Sequence, residues 1–263
     1  MKVLSKKSMG QNFLINDEVL EIITELGNIN NKDIVLEVGP GTGNLTKKIL
    51  EKKPRKFTVI EKDKKLAELL KEKFKEKINI INDDMLKFSY EDFFEQKIII
   101  FGNLPYNIST QILSKWIKMN KLETFCKKLV LVFQKEVADR IIAKDNSKNY
   151  GRLSIISNWK MNIKKIMDIE PHFFKPIPKV KSTILTFEPK DNFYKINYGK
   201  NLEHVTNIFF QQRRKMIKKP MKILFENYED VSKKLSLNLN LRPQNLTTLT
   251  YYKICSIYEK SIK

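Results

Sequence analysis

The 263-residue chain has few of the residues from which metal centres and histidine-based catalytic sites are built: two cysteines and two histidines. Cys126 and Cys255 lie far apart and match no zinc-ligand spacing, so they read as buried thiols or harmless surface ones in a reducing compartment. With only His172 and His204, the composition argues against a histidine triad or a multi-histidine metal site. No metal is expected, and catalysis has to use other groups. Long apolar runs are missing too, since no stretch approaches the roughly 20 apolar residues that cross a bilayer. The basic residues 1–10 carry no apolar segment or cleavage site of a secretory signal, so a cytoplasmic protein without membrane contact is expected. Acidic residues are the minority charge, 30 Asp and Glu against 50 Lys and Arg, for a net charge of +20. That excess, with a pI near 9.7, goes beyond what solubility requires and implies a polyanionic partner, nucleic acid foremost. There is no internal repeat, and 41% hydrophobic content supplies a sizeable core.

Short apolar runs at 34–38, 57–60, 78–81, 98–101 and 129–133 alternate with amphipathic charged segments. Such alternation predicts a mostly parallel sheet with helices on both faces. Intervening helices are expected at 45–52, 65–75, 110–118 and 136–143, where apolar residues recur three or four apart. Residues 161–169 and 181–187 alternate as strands and suggest an antiparallel hairpin at the sheet edge. The proline-rich 171–178 segment between them is too long for a tight turn and is a candidate for a task of its own. Residues 188–192 read as a linker, and short helices are expected at 202–216, 219–225, 231–235 and after Pro243. The expected architecture is α/β and Rossmann-like, with an antiparallel edge: a catalytic domain at 1–188, then a small helical domain at 189–263. The helical part is itself basic, with 15 Lys and Arg against 6 Asp and Glu. A monomer is expected.

Each expected strand end carries a distinct chemical group. Glu37-Val38-Gly39-Pro40-Gly41-Thr42-Gly43 joins the first strand to the first helix, and Gly39, Gly41 and Gly43 let backbone approach a ligand closely. The G-x-G-x-G spacing differs from the G-x-G-x-x-G of dinucleotide sites, and Glu37 is ill-suited to a neighbouring phosphate. S-adenosylmethionine fits better, because it has no phosphate and presents an amino acid, a ribose and an adenine. Glu61 ends the second strand, where its two oxygens can accept both ribose hydroxyls; a solvated residue in a charged run is the plain alternative. After the third strand, Asp84 can accept the adenine amino group while Met85 covers the ring, with Asp83 as the competing acceptor. Asn103-Leu104-Pro105-Tyr106 follows the fourth. Pro105 fixes its own φ and keeps Leu104 extended, so the Leu104 carbonyl and the Asn103 side chain can share a cleft. Tyr106 adds a stacking face. Together these groups can surround a planar amine, as a site for methylating a nucleobase must. Taken alone, the four residues also suit a strand-end turn with a solvent-facing Asn.

This pattern resembles the small-subunit ribosomal RNA adenine N6,N6-dimethyltransferases. The similar stretches are Gly10-Gln11-Asn12-Phe13-Leu14, residues 37–46, Asp84, residues 101–110, 134–137, 147–154 and 174–182, and Gln212-Arg213-Arg214-Lys215. They span nearly the whole chain, more loosely towards its end. Enzymes that methylate large-subunit rRNA share the catalytic motif, but the 147–154 run and the Phe101-Gly102 lead-in are similar to the small-subunit branch. A DNA adenine methyltransferase, or an assembly factor that keeps only the fold, is the competing function. The resemblance implies that Asn12, Leu14, Gly39, Glu61, Asp84 and Asn103 line the S-adenosylmethionine site, and it favours Asp84 over Asp83. It implies a substrate of two adjacent adenosines in a hairpin near the 3′ end of small-subunit rRNA, in a partly assembled subunit, each gaining two methyls. The Asn103 amide oxygen and the Leu104 or Pro105 carbonyl would accept the N6 hydrogens. Tyr106 and Phe174 would sandwich the base, with core packing beside Phe173 as the alternative for Phe174. Lys6, Lys7, Arg213, Arg214 and Lys215 would hold phosphates.

Overall fold

The computed structural model describes residues 11–90 and 97–262; Lys6 and Lys7 lie outside them. The chain begins with β1 (Phe13–Leu14) and α1 (Asp17–Leu26), followed by β2 (Ile34–Val38), α2 (Asn44–Glu51), β3 (Lys56–Ile60), α3 (Lys64–Phe74) and β4 (Asn79–Ile81). Next come β5 (Ile98–Asn103), α4 (Ser109–Lys118), α5 (Leu122–Phe125), β6 (Cys126–Gln134), α6 (Lys135–Ile141) and α7 (Arg152–Lys160). Strands β7 (Met161–Ile169), β8 (Phe174–Lys175) and β9 (Ser182–Pro189) precede α8 (Gly199–Phe210), α9 (Lys218–Leu224), α10 (Tyr228–Lys234) and α11 (Thr248–Ser261).

The elements expected from periodicity are present, with ends that differ by a few residues. Five were not expected: β1, α1, α5, α7 and β8. Asn16 starts α1 by accepting from the Val19 amide at 2.9 Å, and Asp17 and Glu18 suit the positive end of the helix. Ile22 of α1 faces solvent at 37% exposure, which blurs its apolar period. β1 is too short to leave a pattern at all. α7 buries polar Ser154, Ser157 and Lys160 beside its apolar residues, so its sequence shows no single apolar stripe.

The main sheet has seven strands in the order β4-β3-β2-β5-β6-β9-β7. β2 pairs in parallel with both β3 and β5, and the parallel pairing extends to β4 and β6. The edge expected from residues 161–187 is there, with β9 running antiparallel to β6 and lying between β6 and β7. β2 is buried along its whole length, as an apolar run covered on both faces must be. From β2 the chain builds β3 and β4 on one side and then returns to place β5 on the other, a reversal that opens a crevice at the carboxyl ends of the strands. Val38 lies opposite both Ile60 and Gly102, so Gly39, Glu61 and Asn103 leave adjacent strands at one level. A separate two-stranded sheet pairs β1 with β8, Leu14 facing Phe174.

The chain divides into two compact units, one of Met1–Leu113, Lys121–Ala138 and Asn162–Pro189, the other of Ser114–Asn120, Asp139–Met161 and Lys190–Lys263. The last break falls beside the expected boundary, but the second unit also takes 114–120 and 139–161, which periodicity alone places with the first. Side chains explain this: within the second unit the Tyr252 hydroxyl donates to the Ile155 carbonyl at 2.9 Å and the Trp159 indole to the Tyr194 carbonyl at 2.7 Å, fixing α7 there. Glu259 of α11, 4% exposed, accepts from the Asn197 and Tyr198 amides at 2.9 Å and from Asn201. It thereby satisfies amides at the start of α8 that would otherwise lack partners. Among the described residues no helix is long and apolar enough to cross a membrane.

Candidate active site

Two adjoining clefts, of about 690 and about 710 Å³, lie at the strand ends of the first unit and share Gln11, Gly39, Glu61 and Pro105 as walls. They form one groove with chemically different ends. Asn12, Leu14, Gly41, Asn103 and Tyr106 line one end; Lys62, Asp83, Asp84, Met85 and Ile112 line the other.

The glycine turn is built from conformations that other residues rarely adopt. Gly39, Gly41 and Gly43 have φ of 67°, 57° and 79°, and a Cβ on Gly41 would lie 2.6 Å from the Phe13 ring. Bare backbone therefore faces the groove at Gly39 and Gly41. Gly43, expected beside the ligand, is instead the entry to α2, where a Cβ would strike Phe74 at 2.6 Å. Beneath the turn, Thr46 donates to Glu37 at 2.6 Å. Burial pushes the Glu37 carboxyl up to about 8, against the lowering effect of that hydrogen bond. Sequence reasoning assigned Thr46 no role, although its place one turn into α2 sets a hydroxyl over the end of β2.

Glu61 is buried and fixed by backbone: Oε2 accepts from the Gly41 amide at 3.2 Å and Oε1 from the Asp63 amide at 2.9 Å. Burial raises its pKa against those two bonds. Each carboxylate oxygen keeps a further acceptor direction, enough for a vicinal diol. Asp84 accepts Lys62 Nζ at 2.8 Å and the Leu86 amide at 3.0 Å, and the Lys62 bond is the main cause of its lowered pKa. Asp83 turns its carboxylate to the Asp84 amide at 2.6 Å. Both aspartates line the groove, with Met85 below them accepting a hydrogen bond from the Tyr90 hydroxyl.

The opposite end is organised by asparagines. Asn103 Nδ2 donates to the Asn12 carbonyl at 2.8 Å, which fixes the amide so that Oδ1 is the atom left over. Asn44, a residue without an expected role, likewise donates to the Leu14 carbonyl at 2.8 Å. The β1 segment is therefore held by its carbonyls against the glycine turn and the end of β5. Pro105 uses its carbonyl to accept from the Ile108 and Ser109 amides at 3.1 and 3.0 Å, starting α4. Leu104 is buried while its neighbour Tyr106 lines the groove, with its hydroxyl 2.7 Å from Ser182 Oγ. Burial raises the Tyr106 pKa. That favours the protonated, neutral phenol.

Phe174 is the residue expected opposite Tyr106 across the base, or else packed in the core beside Phe173. It is 1% exposed and belongs to the hydrophobic core with Leu14, Val19 and Ile23, because its strand pairing with Leu14 turns the ring inward. Arg213 is corrected in part: its Nη2 donates to the Ser147 carbonyl at 3.3 Å and to the Lys148 carbonyl, tying two segments of the second unit together. The expected helix 202–216 ends at Phe210, and Arg213 reaches these carbonyls from the turn that follows. Arg214 and Lys215 are exposed.

The model of the family described as "Ribosomal RNA adenine dimethylase" matches residues 3–260. A "Ribosomal RNA small subunit methyltransferase A" of Pelagibacter ubique strain HTCC1062 is 58% identical over 259 residues, covering 98% of each chain. One of the same name from Ehrlichia chaffeensis is 38% identical over 259 residues, covering 96% of each. Among solved structures, a dimethyladenosine transferase from Plasmodium falciparum superposes with a TM-score of 0.80 at 26% identity, over 94% of this chain and 98% of the other. The 23S rRNA methyltransferase ErmE shares the fold, with a TM-score of 0.69 at 20% identity over 94% of this chain and 100% of its own.

Proposed function

The chain belongs to the ribosomal RNA adenine dimethylases, S-adenosylmethionine-dependent enzymes that dimethylate adenine in small-subunit rRNA, and on that premise we propose how its groove performs the reaction. The cofactor occupies the groove, its amino acid end at Gly39 and Gly41, its ribose at Glu61 and its adenine between Asp84 and Met85. The fit rests on three features: a glycine turn in which Gly41 has no room for a Cβ, a backbone-fixed carboxylate, and an acceptor next to a thioether. When bound, S-adenosylmethionine supplies a methyl group activated by the sulfonium.

The target amine is a poor nucleophile, since its lone pair is delocalised into the adenine ring. Acceptors that take its hydrogens favour a pyramidal nitrogen. Asn103 Oδ1 is one, and the fixed amide, with Nδ2 on the Asn12 carbonyl, is the single observation that carries this reading. The Leu104 carbonyl is the second, because the Pro105 carbonyl already receives two amides. These dipoles also stabilise the positive charge that grows on nitrogen as it is alkylated, and holding the amine in place supplies part of the barrier reduction. Tyr106 stacks on one face of the extruded base; Phe174 supports this wall from the core. Once the alkylated nitrogen has released a proton to solvent water one hydrogen is left, so the second transfer proceeds with one of the two acceptors.

The substrate is a pair of adjacent adenosines in a hairpin near the 3′ end of the rRNA, met by a monomer in a partly assembled cytoplasmic subunit. Exposed Arg214 and Lys215, and Lys6 and Lys7, hold its phosphates. Methyl-labelled cofactor, offered with immature small subunits, large-subunit rRNA or duplex DNA, tests this. Label is expected only in small-subunit rRNA, as N6,N6-dimethyladenosine at two adjacent positions. Label in DNA or large-subunit rRNA, or in none of the three, would refute it.

A further inference from the structure

Residues 175–181 join two walls of the groove. At one end Phe174 pairs with Leu14; at the other Ser182 is hydrogen-bonded to Tyr106. The segment reads Lys-Pro-Ile-Pro-Lys-Val-Lys, with three lysines and no acidic residue. Ile177 at its centre is 68% exposed, the most exposed large hydrophobic side chain among the described residues, and Val180 is 44% exposed. This exposure does not come from a slack loop. Pro176 and Pro178 restrict the backbone on both sides of Ile177, and Pro178 is buried. The Lys181 carbonyl accepts from the Lys135 amide at 2.9 Å, and its ammonium is 2.6 Å from Glu170. Lys175 and Lys179 remain exposed on either side.

A stiff aliphatic tip between two cations, anchored beside the Asn103 to Tyr106 end of the groove where the target adenine is read to enter, fits a nucleic acid strand. The ammonium groups match phosphates, and the tip matches the apolar face of a base whose stacking neighbour has been removed. We propose that Ile177, backed by Val180, inserts against the nucleotide next to the target adenosine and fills the space left when the adenine is extruded, with Lys175 and Lys179 on the flanking phosphates. The inference rests on the reading of Asn103 to Tyr106 as the adenine site. Ile177 is a positioning residue here, since it touches the neighbouring base and not the reacting atoms. Its rigidity lowers the ordering cost of insertion.

The test uses small subunits carrying 2-aminopurine at the nucleotide on one or the other side of the adenosine pair, a base that brightens when it loses a stacking partner and is not quenched by an aliphatic contact. The parent enzyme should brighten one of the two labels. The double variant I177A/V180A should abolish most of that rise and slow methylation of unlabelled subunits about tenfold, as loss of a wedge that stabilises an unstacked step requires. Its affinities for S-adenosylmethionine and for the subunit should stay within roughly twofold of the parent, because phosphate contacts dominate RNA affinity. I177L should restore both fluorescence and rate. A full fluorescence rise with the double variant overturns the proposal, whether the rate is kept or lost, and so does a parent-like rate. Failure of the parent itself to methylate unlabelled subunits would overturn the adenine-site reading as well, which separates the two failures.

Discussion

Asn103→Ala removes one acceptor of the target amine and one tether of the β1 segment, and the structure allows the two losses to be sized apart. The tether is a single hydrogen bond of 2.8 Å from Nδ2 to the Asn12 carbonyl, worth about 1 kcal/mol net and therefore roughly fivefold in cofactor affinity if all of it is felt there. The acceptor acts in the transition state, where loss of one preorganised polar group costs about 10²- to 10³-fold in rate. Single-turnover methyl transfer at saturating cofactor should fall by that larger factor, while subunit binding persists. Asn103→Asp completes the argument. It keeps an acceptor oxygen, loses the donor and sets oxygen against the Asn12 carbonyl, so cofactor affinity should suffer while the rate at saturation exceeds that of Asn103→Ala by about tenfold or more. If Asn103→Ala turned over within a few fold of the parent, or if Asp were as slow as Ala with cofactor bound, the acceptor role would be refuted.

Glu61→Ala should weaken S-adenosylmethionine binding by at least about tenfold, since charge-assisted hydrogen bonds are worth roughly 1.5 to 3 kcal/mol each, and leave RNA affinity unchanged; parent-like affinity by calorimetry in a folded variant would remove Glu61 from the ribose site. Burial keeps the Glu37 carboxyl protonated up to about 8, whereas in the unfolded chain it ionises near 4.3. The unfolded state therefore loses its proton first, and stability of the cofactor-free protein should fall as pH rises between those values, by roughly 5 kcal/mol at most. Glu37→Gln should flatten that fall in denaturant midpoints, and equal pH slopes for the two proteins would contradict the assignment. Arg213→Ala should cost about 1 to 3 kcal/mol of stability by leaving the Ser147 and Lys148 carbonyls without their charged donor. Replacing Arg214 and Lys215 together should leave stability alone and flatten the salt dependence of subunit binding by about 0.7 to 0.9 for each phosphate no longer neutralised. An unaltered slope would move the RNA surface to Lys6 and Lys7.

The sheet was legible because its strands are short apolar runs, and parallel strands bring their carboxyl ends to one edge. Once 34–38, 57–60 and 98–101 read as strands, Gly39, Glu61 and Asn103 had to share a crevice. Contacts between remote segments were not legible. β1 exists because it pairs with β8, and its two residues carry no period of their own. Phe174 follows a family motif, but that motif cannot say that the ring turns inward against Leu14 and Val19. The choice between the Leu104 and Pro105 carbonyls needed the turn into α4, where Ile108 and Ser109 occupy Pro105. Arg213 reads in the sequence as one cation in a run of three, whereas its guanidinium sits on the carbonyls of a loop far away in the chain.

A basic chain that binds a polyanion must also hold a sulfonium cation, and the distribution of charge reconciles the two. The net charge is +20, yet the groove walls carry Glu37, Glu61, Asp83 and Asp84. These carboxylates are not equivalent. Glu37 is kept neutral by burial at ordinary pH, and Asp84 is paired with Lys62. Glu61 and Asp83 accept backbone amides on their oxygens, so dipoles and not a bonded cation compensate their charge, which leaves both able to attract a positive ligand in the groove. At physiological salt the Debye length is about 8 Å. The surface lysines therefore act chiefly on phosphates next to them, while the buried carboxylates act on whatever fills the groove, where screening is weak. Substitutions of groove acids should accordingly move cofactor affinity and leave the salt slope of RNA binding unchanged, and substitutions of surface lysines should do the reverse.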